Sequence, residues 1–478
     1  MVFSSLIFVF AFFTLSTAVQ ALFRSNQAKN IVLLIASLIF YMWGGPKYLL
    51  LLCGMVAISW IFGILVFCAD TPGQKKAFLV ADCILTLGLL GYFKYAGFLV
   101  NTILSLFGQS IDLGIVLPIG ISFYTFQLLS YVVDVYRGEV RPQFNFFWLL
   151  LYASLFHQCI AGPIVRYQDV NEDILHRTVS REDVSAGITR FSLGLAKKAL
   201  LANGCGLIAD TLLPTAADKL AGVSSAGILL GGLCYMLQIY LDFSAYSDMA
   251  IGMGRMVGFH YHENFNYPYI ADSVSDFWRR WHISLSTFFR DYVYIPLGGN
   301  RCSAARQMFN LAVVWFLTGL WHGASWNFVC WGLYFLIFLI SEKFIFGLSR
   351  ESHGARRVLR TLYTLVVVYI GWFFFRFEDL AVAKMALKGL FGASTAGLTD
   401  AVSALTFKNN LFFLIVAVLA CLPTAPWLRR KMQEYGEKSA VFRKLNVVFA
   451  VAIPPLMVFL SLLALVGDSY NAFIYFNF

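Results

Sequence analysis

Apolar residues run through this chain in long blocks instead of alternating with polar ones. The blocks cover roughly 3–23, 31–43, 48–68, 78–107, 113–135, 144–163, 188–212, 224–243, 307–346, 361–377, 408–426 and 445–467. A helix needs about 20 apolar residues to cross a bilayer core of ~30 Å. The block at 307–346 is long enough for two helices. At that length per span, with short connectors, the chain accommodates about 10 to 12 crossings. The pattern predicts an all-α integral membrane protein, one domain over 1–478 with no linker and no internal repeat.

Two stretches break the pattern. Residues 164–190 are polar and charged and are predicted to form surface helices. Residues 244–306 are amphipathic throughout, too polar to cross and too aromatic for a water-exposed loop. Such a segment lies in the interface or lines a cavity inside protein.

Charge orients the spans. Basic residues collect in the connectors 24–30, 69–77 and 136–143, and 427–444 (WLRRKMQEYGEKSAVFRK) holds six basic and two acidic residues. The pattern fits cytoplasmic loops, and 427–444, the strongest case, is expected in the cytoplasm. If 445–467 crosses once, the tail DSYNAFIYFNF lies outside. The first 23 residues resemble a signal peptide, but the first positive charges, Arg24 and Lys29, follow the apolar run instead of preceding it. They are expected to be a retained helix with its N-terminus outside.

Composition agrees. Charged residues make up 13% and mean hydropathy is +0.72, against about 25% charged in a soluble domain. The net charge of +10 would raise nucleic acid for a soluble protein, but here it fits anionic lipid headgroups. The nine cysteines are scattered without a CxxC pair, which predicts neither a disulfide framework nor a zinc site.

The candidate chemistry lies in two stretches. The first is 275–301, SDFWRRWHISLSTFFRDYVYIPLGGNR. Ser273 and Asp276 have the spacing of a capping box, so a helix is expected from about residue 274. Asp276 and Arg280 are spaced for an i, i+4 pair, acid first. On that helix Trp278, His282 and Ser286 share one face, and Pro296 with Gly298-Gly299 ends it. The second stretch is 317–335, LTGLWHGASWNFVCWGLYF. His322 sits there inside an apolar run, and an ionisable residue at membrane depth is a functional candidate by default because it is costly to keep there. Thr318, Ser325 and Trp326 are its helical neighbours. Gly319 and Gly323 at small-xxx-small spacing leave a groove for a helix or a ligand.

Blander readings compete. A lone buried histidine is often a satisfied helix–helix hydrogen bonder, GxxxG is usually packing, and tryptophans often form interfacial belts. Physics alone ranks His322 and His282 first without deciding a reaction. His260-Tyr-His262-Glu263 has no HExxH and no third ligand, so no metal is expected. His176 and His353 lie in charged loops, and His157 is ambiguous. The absence of a GxSxG elbow disfavours a Ser-His-Asp hydrolase, and the absence of a Walker A sequence disfavours an ATP-driven pump.

Together the two histidine stretches resemble the membrane-bound O-acyltransferase (MBOAT) family, in its bacterial branch of inner-membrane alginate O-acetyltransferases. IAGPIVRY (160–167), YLDFSAYSDMAIGMGRMVGF (240–259), ENFNYPYIADS (263–273) and the ending FIYFNF extend the match. The resemblance implies a helical bundle around a tunnel, in a multi-pass protein of the bacterial inner membrane. It implies a nearly invariant histidine, matching His322, and a second His or Asn, matching His282. His157 stands where that pattern has proline. The implied donor is acetyl-CoA, with no bound cofactor. The implied partner is an SGNH-type acetyltransferase on the outer side, acting on an envelope polysaccharide. The expected roles are His322 as general base, and His282 to orient the acceptor or donate to the thioester carbonyl. Trp278, Arg279, Ser286, Tyr294, Thr318, Ser325 and Asn327 are the candidates for substrate contact. The aromatic tail 471–478 is a candidate docking element. Two alternatives stay open: D-alanyl transfer to teichoic acid from a carrier protein, and a transporter or flippase without chemistry.

Overall fold

A computed structural model describes residues 3–159, 162–347 and 352–467. Among the described residues every regular element is a helix. Among the described residues, seven helices are long and apolar enough to cross a bilayer: Pro46–Cys68, Pro72–Ser105, Ser225–Met256, Trp326–Phe346, Gly354–Arg376, Ala401–Ala420 and Ala440–Gly467. Ile7–Ala21 and Asn26–Met42 are apolar but shorter. The tail 471–478 lies outside the described residues.

Helix starts follow local chemistry. Pro46 and Pro72 occupy first-turn positions, where proline's missing N–H is no loss. Thr71 and Gln74 form a reciprocal capping box. The polar stretch 164–190 forms helices at Tyr167–His176 and from Arg181 onward, as expected.

The helix Ser225–Met256 corrects the sequence reading. It continues unbroken through residues 244–256, which the hydropathy pattern places in a non-crossing amphipathic segment. The polar residues that lowered its hydropathy have protein partners. Asp242 pairs with Lys198 at 2.8 Å with both side chains 1% exposed, and Asp248 pairs with Arg190 at 2.7 Å. Hydropathy counts a polar residue the same whether lipid or a partner faces it.

The chain forms two compact units. The first takes residues up to Phe191, with Ser247–Glu263 and Thr287–Pro296. Phe8, Phe12, Phe40 and Phe156 interlock in its core, with ring centroids 5.1 to 6.2 Å apart. Two helices cross closely where Gly187 and Gly252 meet: a Cβ on Gly252 would lie 2.7 Å from the Gly187 carbonyl oxygen.

The second unit takes Ser192–Tyr246, Asn264–Ser286 and the residues from Leu297 on. Its centre is an antiparallel hairpin of Ala304–His322 and Trp326–Ile340, so the long apolar block is indeed two helices. The groove at Gly319 is filled by the return helix, not by a ligand. A Cβ on Gly319 would lie 2.4 Å from the Phe328 carbonyl oxygen, and one on Gly332 2.4 Å from that of Trp315.

Because the obstacle at Gly332 is backbone, it cannot move aside as a side chain would. Gly332→Ala should lower the thermal unfolding temperature in detergent, by a destabilisation of about 1–3 kcal/mol. Gly88 has open space around it, so Gly88→Ala should leave that temperature unchanged or raised. Equal shifts for both would refute close helix contact at Gly332.

Candidate active site

Ser273 accepts the Asp276 N–H at 3.0 Å and starts the helix Val274–Arg280. Asp276 and Arg280 pair at 2.8 Å, as their spacing requires. Seven residues are too few for a stable isolated helix, so the start is reinforced from elsewhere. Buried Glu342 accepts the N–H groups of Val274 (2.6 Å) and Ser275 (2.9 Å) and the Ser275 hydroxyl (2.9 Å). A carboxylate at a helix N-terminus satisfies orphan donors and opposes the positive end of the dipole.

The helix then stops, which corrects the sequence reading of His282. The expected single helix bearing Trp278, His282 and Ser286 on one face is two helices, Val274–Arg280 and Ile283–Phe289, with His282 at the break. His282 has φ +45°, in the left-handed region. A non-glycine residue there is uncommon and must be held by its surroundings.

Residues 264–266 do the holding. The Ile283 N–H donates to the Asn264 carbonyl at 2.9 Å, and the Asn266 N–H to the Arg280 carbonyl at 2.9 Å. The Asn264 side-chain oxygen accepts the Ser284 N–H (3.1 Å) and hydroxyl (2.9 Å), and it lies 3.2 Å from His282 Nδ1. Phe243 stands edge-on to the imidazole at 4.8 Å, and Trp321 lies 5.5 Å away between centroids. His282 Nε2 is buried and has no partner among the described residues.

His322 is the last residue of its helix, and the chain breaks at residues 323–325 before Trp326. Its ring packs against Trp321 (5.1 Å), Trp331 (4.9 Å) and Phe375 (5.2 Å). The two imidazoles thus flank one indole, that of Trp321. They are 2% and 1% exposed, so bulk water reaches neither.

The other predicted contacts divide. Trp278 is buried against Trp315, Trp331 and Phe335, one ring removed from His322. Ser286 donates to the Trp278 carbonyl at 3.2 Å. Thr318 bonds back to the Val314 carbonyl at 2.7 Å. Ser325 bonds the Asn327 side-chain oxygen, and Asn327 donates to the Phe374 carbonyl at 3.1 Å. Arg279 is exposed and bonds the Ser275 carbonyl within its own helix. Tyr294 belongs to the first unit.

That unit has a separate charged pocket of about 550 Å³, lined by Arg137, Arg166, Asp291 and Tyr292 among others. Its charges are matched internally, with Arg166 3.2 Å from Asp291 and Tyr292 donating to Asp134 at 2.7 Å. His157 also lies in the first unit, buried, with Nδ1 2.7 Å from the Tyr261 hydroxyl. His260 and His262 lie 3.5 Å from Asp183 and Asp169 and are mostly exposed.

Sequence reasoning missed Asn264, Glu342 and the rings of Trp315, Trp331 and Phe375. Asn264 and Trp331 lay in stretches already singled out, ENFNYPYIADS and LTGLWHGASWNFVCWGLYF.

The fold is thus a multi-pass helical membrane protein that packs two buried imidazoles among tryptophan and phenylalanine rings. Comparison with known proteins makes the class specific. Residues 139–378, a span that includes both histidines, match the membrane-bound O-acyltransferase family. The chain is 38% identical to the probable alginate O-acetylase AlgI of Pseudomonas aeruginosa, over 92% of this chain and 85% of that one. It is 35% identical to the Azotobacter vinelandii protein of the same name, over 100% of both. It is 30% identical to the peptidoglycan O-acetyltransferase of Helicobacter pylori, over 100% of this chain and 98% of that one. The chain belongs to the membrane-bound O-acyltransferase family and is an O-acyltransferase.

Burial pushes the His282 imidazolium from its ordinary 6.5 down to about 3. The unfolded chain regains the ordinary value, so between those limits it binds more protons than the folded one, and stability rises with pH. The stability due to this group is complete above the ordinary value and is lost as pH falls toward the depressed one. Thermal unfolding in detergent should therefore occur at a lower temperature at about pH 5 than at about pH 7.5, and His282→Gln should reduce that difference, with buried His157 supplying the part that remains. An equally steep dependence in the variant would contradict a buried neutral His282.

Proposed function

We propose that this O-acyltransferase takes an acetyl group from cytoplasmic acetyl-CoA and serves O-acetylation of an extracytoplasmic polysaccharide, from the inner membrane of a bacterium. Full-length similarity to proteins named for O-acetylation of two different envelope glycans, alginate and peptidoglycan, carries this reading. An SGNH-type acetyltransferase on the outer side is the expected partner for delivery to the glycan.

Transfer from a thioester to a hydroxyl needs a base on the hydroxyl and a means to steady the oxyanion. In this reading His322 takes the hydroxyl proton as the oxygen attacks the thioester carbonyl. The C–S bond then breaks, the thiolate leaves, and the proton returns to it from His322. His282 orients the acceptor. The rings of Trp321, Trp331 and Phe375 keep hydrolytic water from the acyl group.

General-base catalysis is typically worth about 10²–10⁴-fold. His322→Ala at matched membrane abundance should lose at least that much transfer, read as base-labile O-acetyl esters on envelope glycans beside wild-type and deletion strains. Esters lost in the deletion strain but kept in His322→Ala would remove His322 from the reaction. Esters kept even in the deletion strain would overturn acetylation and turn attention to D-alanyl esters or transport.

A further inference from the structure

The hydrogen bonds around Asn264 determine which nitrogen of His282 carries the proton. A backbone N–H can only donate. The Ser284 N–H points at one terminal atom of the Asn264 side chain at 3.1 Å, so that atom is the oxygen. The opposite assignment would set the amide NH₂ against a backbone N–H, donor against donor. The Ser284 hydroxyl spends its own proton on the same oxygen at 2.9 Å.

His282 Nδ1 faces this oxygen at 3.2 Å and the Ser284 hydroxyl oxygen at 3.4 Å. The Asn264 oxygen has no proton to offer and is the nearer of the two, so Nδ1 supplies one. A neutral imidazole has a single N–H. With that N–H on Nδ1, Nε2 presents a lone pair. Burial keeps the ring neutral, so Nε2 gains no second proton.

We infer that Asn264 is a positioning residue that fixes His282 as its Nδ1–H tautomer, so that Nε2 can accept a hydrogen bond but not donate one. Resting on the acyl-transfer reading, this chooses between two roles for His282. Its Nε2 cannot donate to the thioester carbonyl. It accepts the hydrogen of the acceptor hydroxyl and so aims the hydroxyl oxygen. The backbone bonds from Ile283 to Asn264 and from Asn266 to Arg280 hold the left-handed turn that keeps the ring in this register. Asn264 never touches the reacting atoms in this arrangement; it acts through His282.

The test is ¹⁵N NMR of histidine-labelled full-length protein, because protonated and lone-pair-bearing ring nitrogens differ widely in shift. Seven histidines make assignment by loss in His282→Gln practical. The expected result is a directly bonded proton on Nδ1 and a lone-pair shift on Nε2. A proton on Nε2, or a mixture of tautomers in the unaltered protein, would overturn the proposal. This readout needs no turnover, so it stands or falls separately from the substrate assignment.

Two variants extend the test. Asn264→Asp keeps an acceptor oxygen and should keep the Nδ1–H pattern. Asn264→Leu should release the tautomer and lower transfer by about 10- to 100-fold, the range typical when a histidine's orienting partner is removed. If the leucine variant fails to fold, the unaltered protein and the aspartate variant still decide the question. An Nε2-protonated ring in Asn264→Asp would also count against the proposal.

Discussion

The site depends first on a backbone constraint, the left-handed turn at His282. Such a turn at a non-glycine residue costs of order 1–3 kcal/mol, so something must hold it. The strand-like pairing of residues 264–266 with 280–283 does so, and the Asn264 amide adds bonds to both the ring and Ser284. Had the helix continued, His282 would have followed its face. Instead the ring turns between Phe243 and Trp321. The preceding helix is fixed at its other end by Glu342. A segment too short to be stable alone is therefore clamped at both ends by groups distant in sequence.

Around this clamp the aromatic rings give the site its solvent. Trp278, Trp315, Trp331, Trp372 and Phe375 meet mostly edge to face or tilted. Each such pair contributes about 0.5–1.5 kcal/mol beyond its area burial. Aromatic side chains have few torsions to freeze, so the cage is stiff as well as dry. Dryness matters for a thioester, because water is a competing nucleophile. It also strengthens every hydrogen bond made inside. The close approach of the two hairpin helices at Gly319 and Gly332 brings Trp315 and Trp331 together.

The parts of this arrangement that depend on neighbours in sequence were legible there. Ser273 as an N-cap and the Asp276–Arg280 pair followed from spacing, and the division of 307–346 into two helices from the length of the apolar block. His322 stood out because an ionisable group in an apolar run is rare and costly, and His282 because of the dense polar and aromatic stretch around it. The rest was not, and the reason is specific in each case. Asn264 lies 18 residues from His282 and joins it by bonds that leave no periodicity. Glu342 lies 68 residues from the helix it caps and looked like the edge of an apolar run. The continuation of the long helix to Met256 was hidden because Asp242 and Asp248 lowered its hydropathy, although each has a buried or half-buried cationic partner. Arg279 stood out by charge but is exposed to solvent.

One residue type in two settings separates two tasks. In the proposed arrangement His282 is held at Nδ1, and burial makes its ring so weakly basic that Nε2 would hold a hydroxyl hydrogen without removing the proton. In that reading the proton goes to another base, and His322 is the other imidazole packed on Trp321.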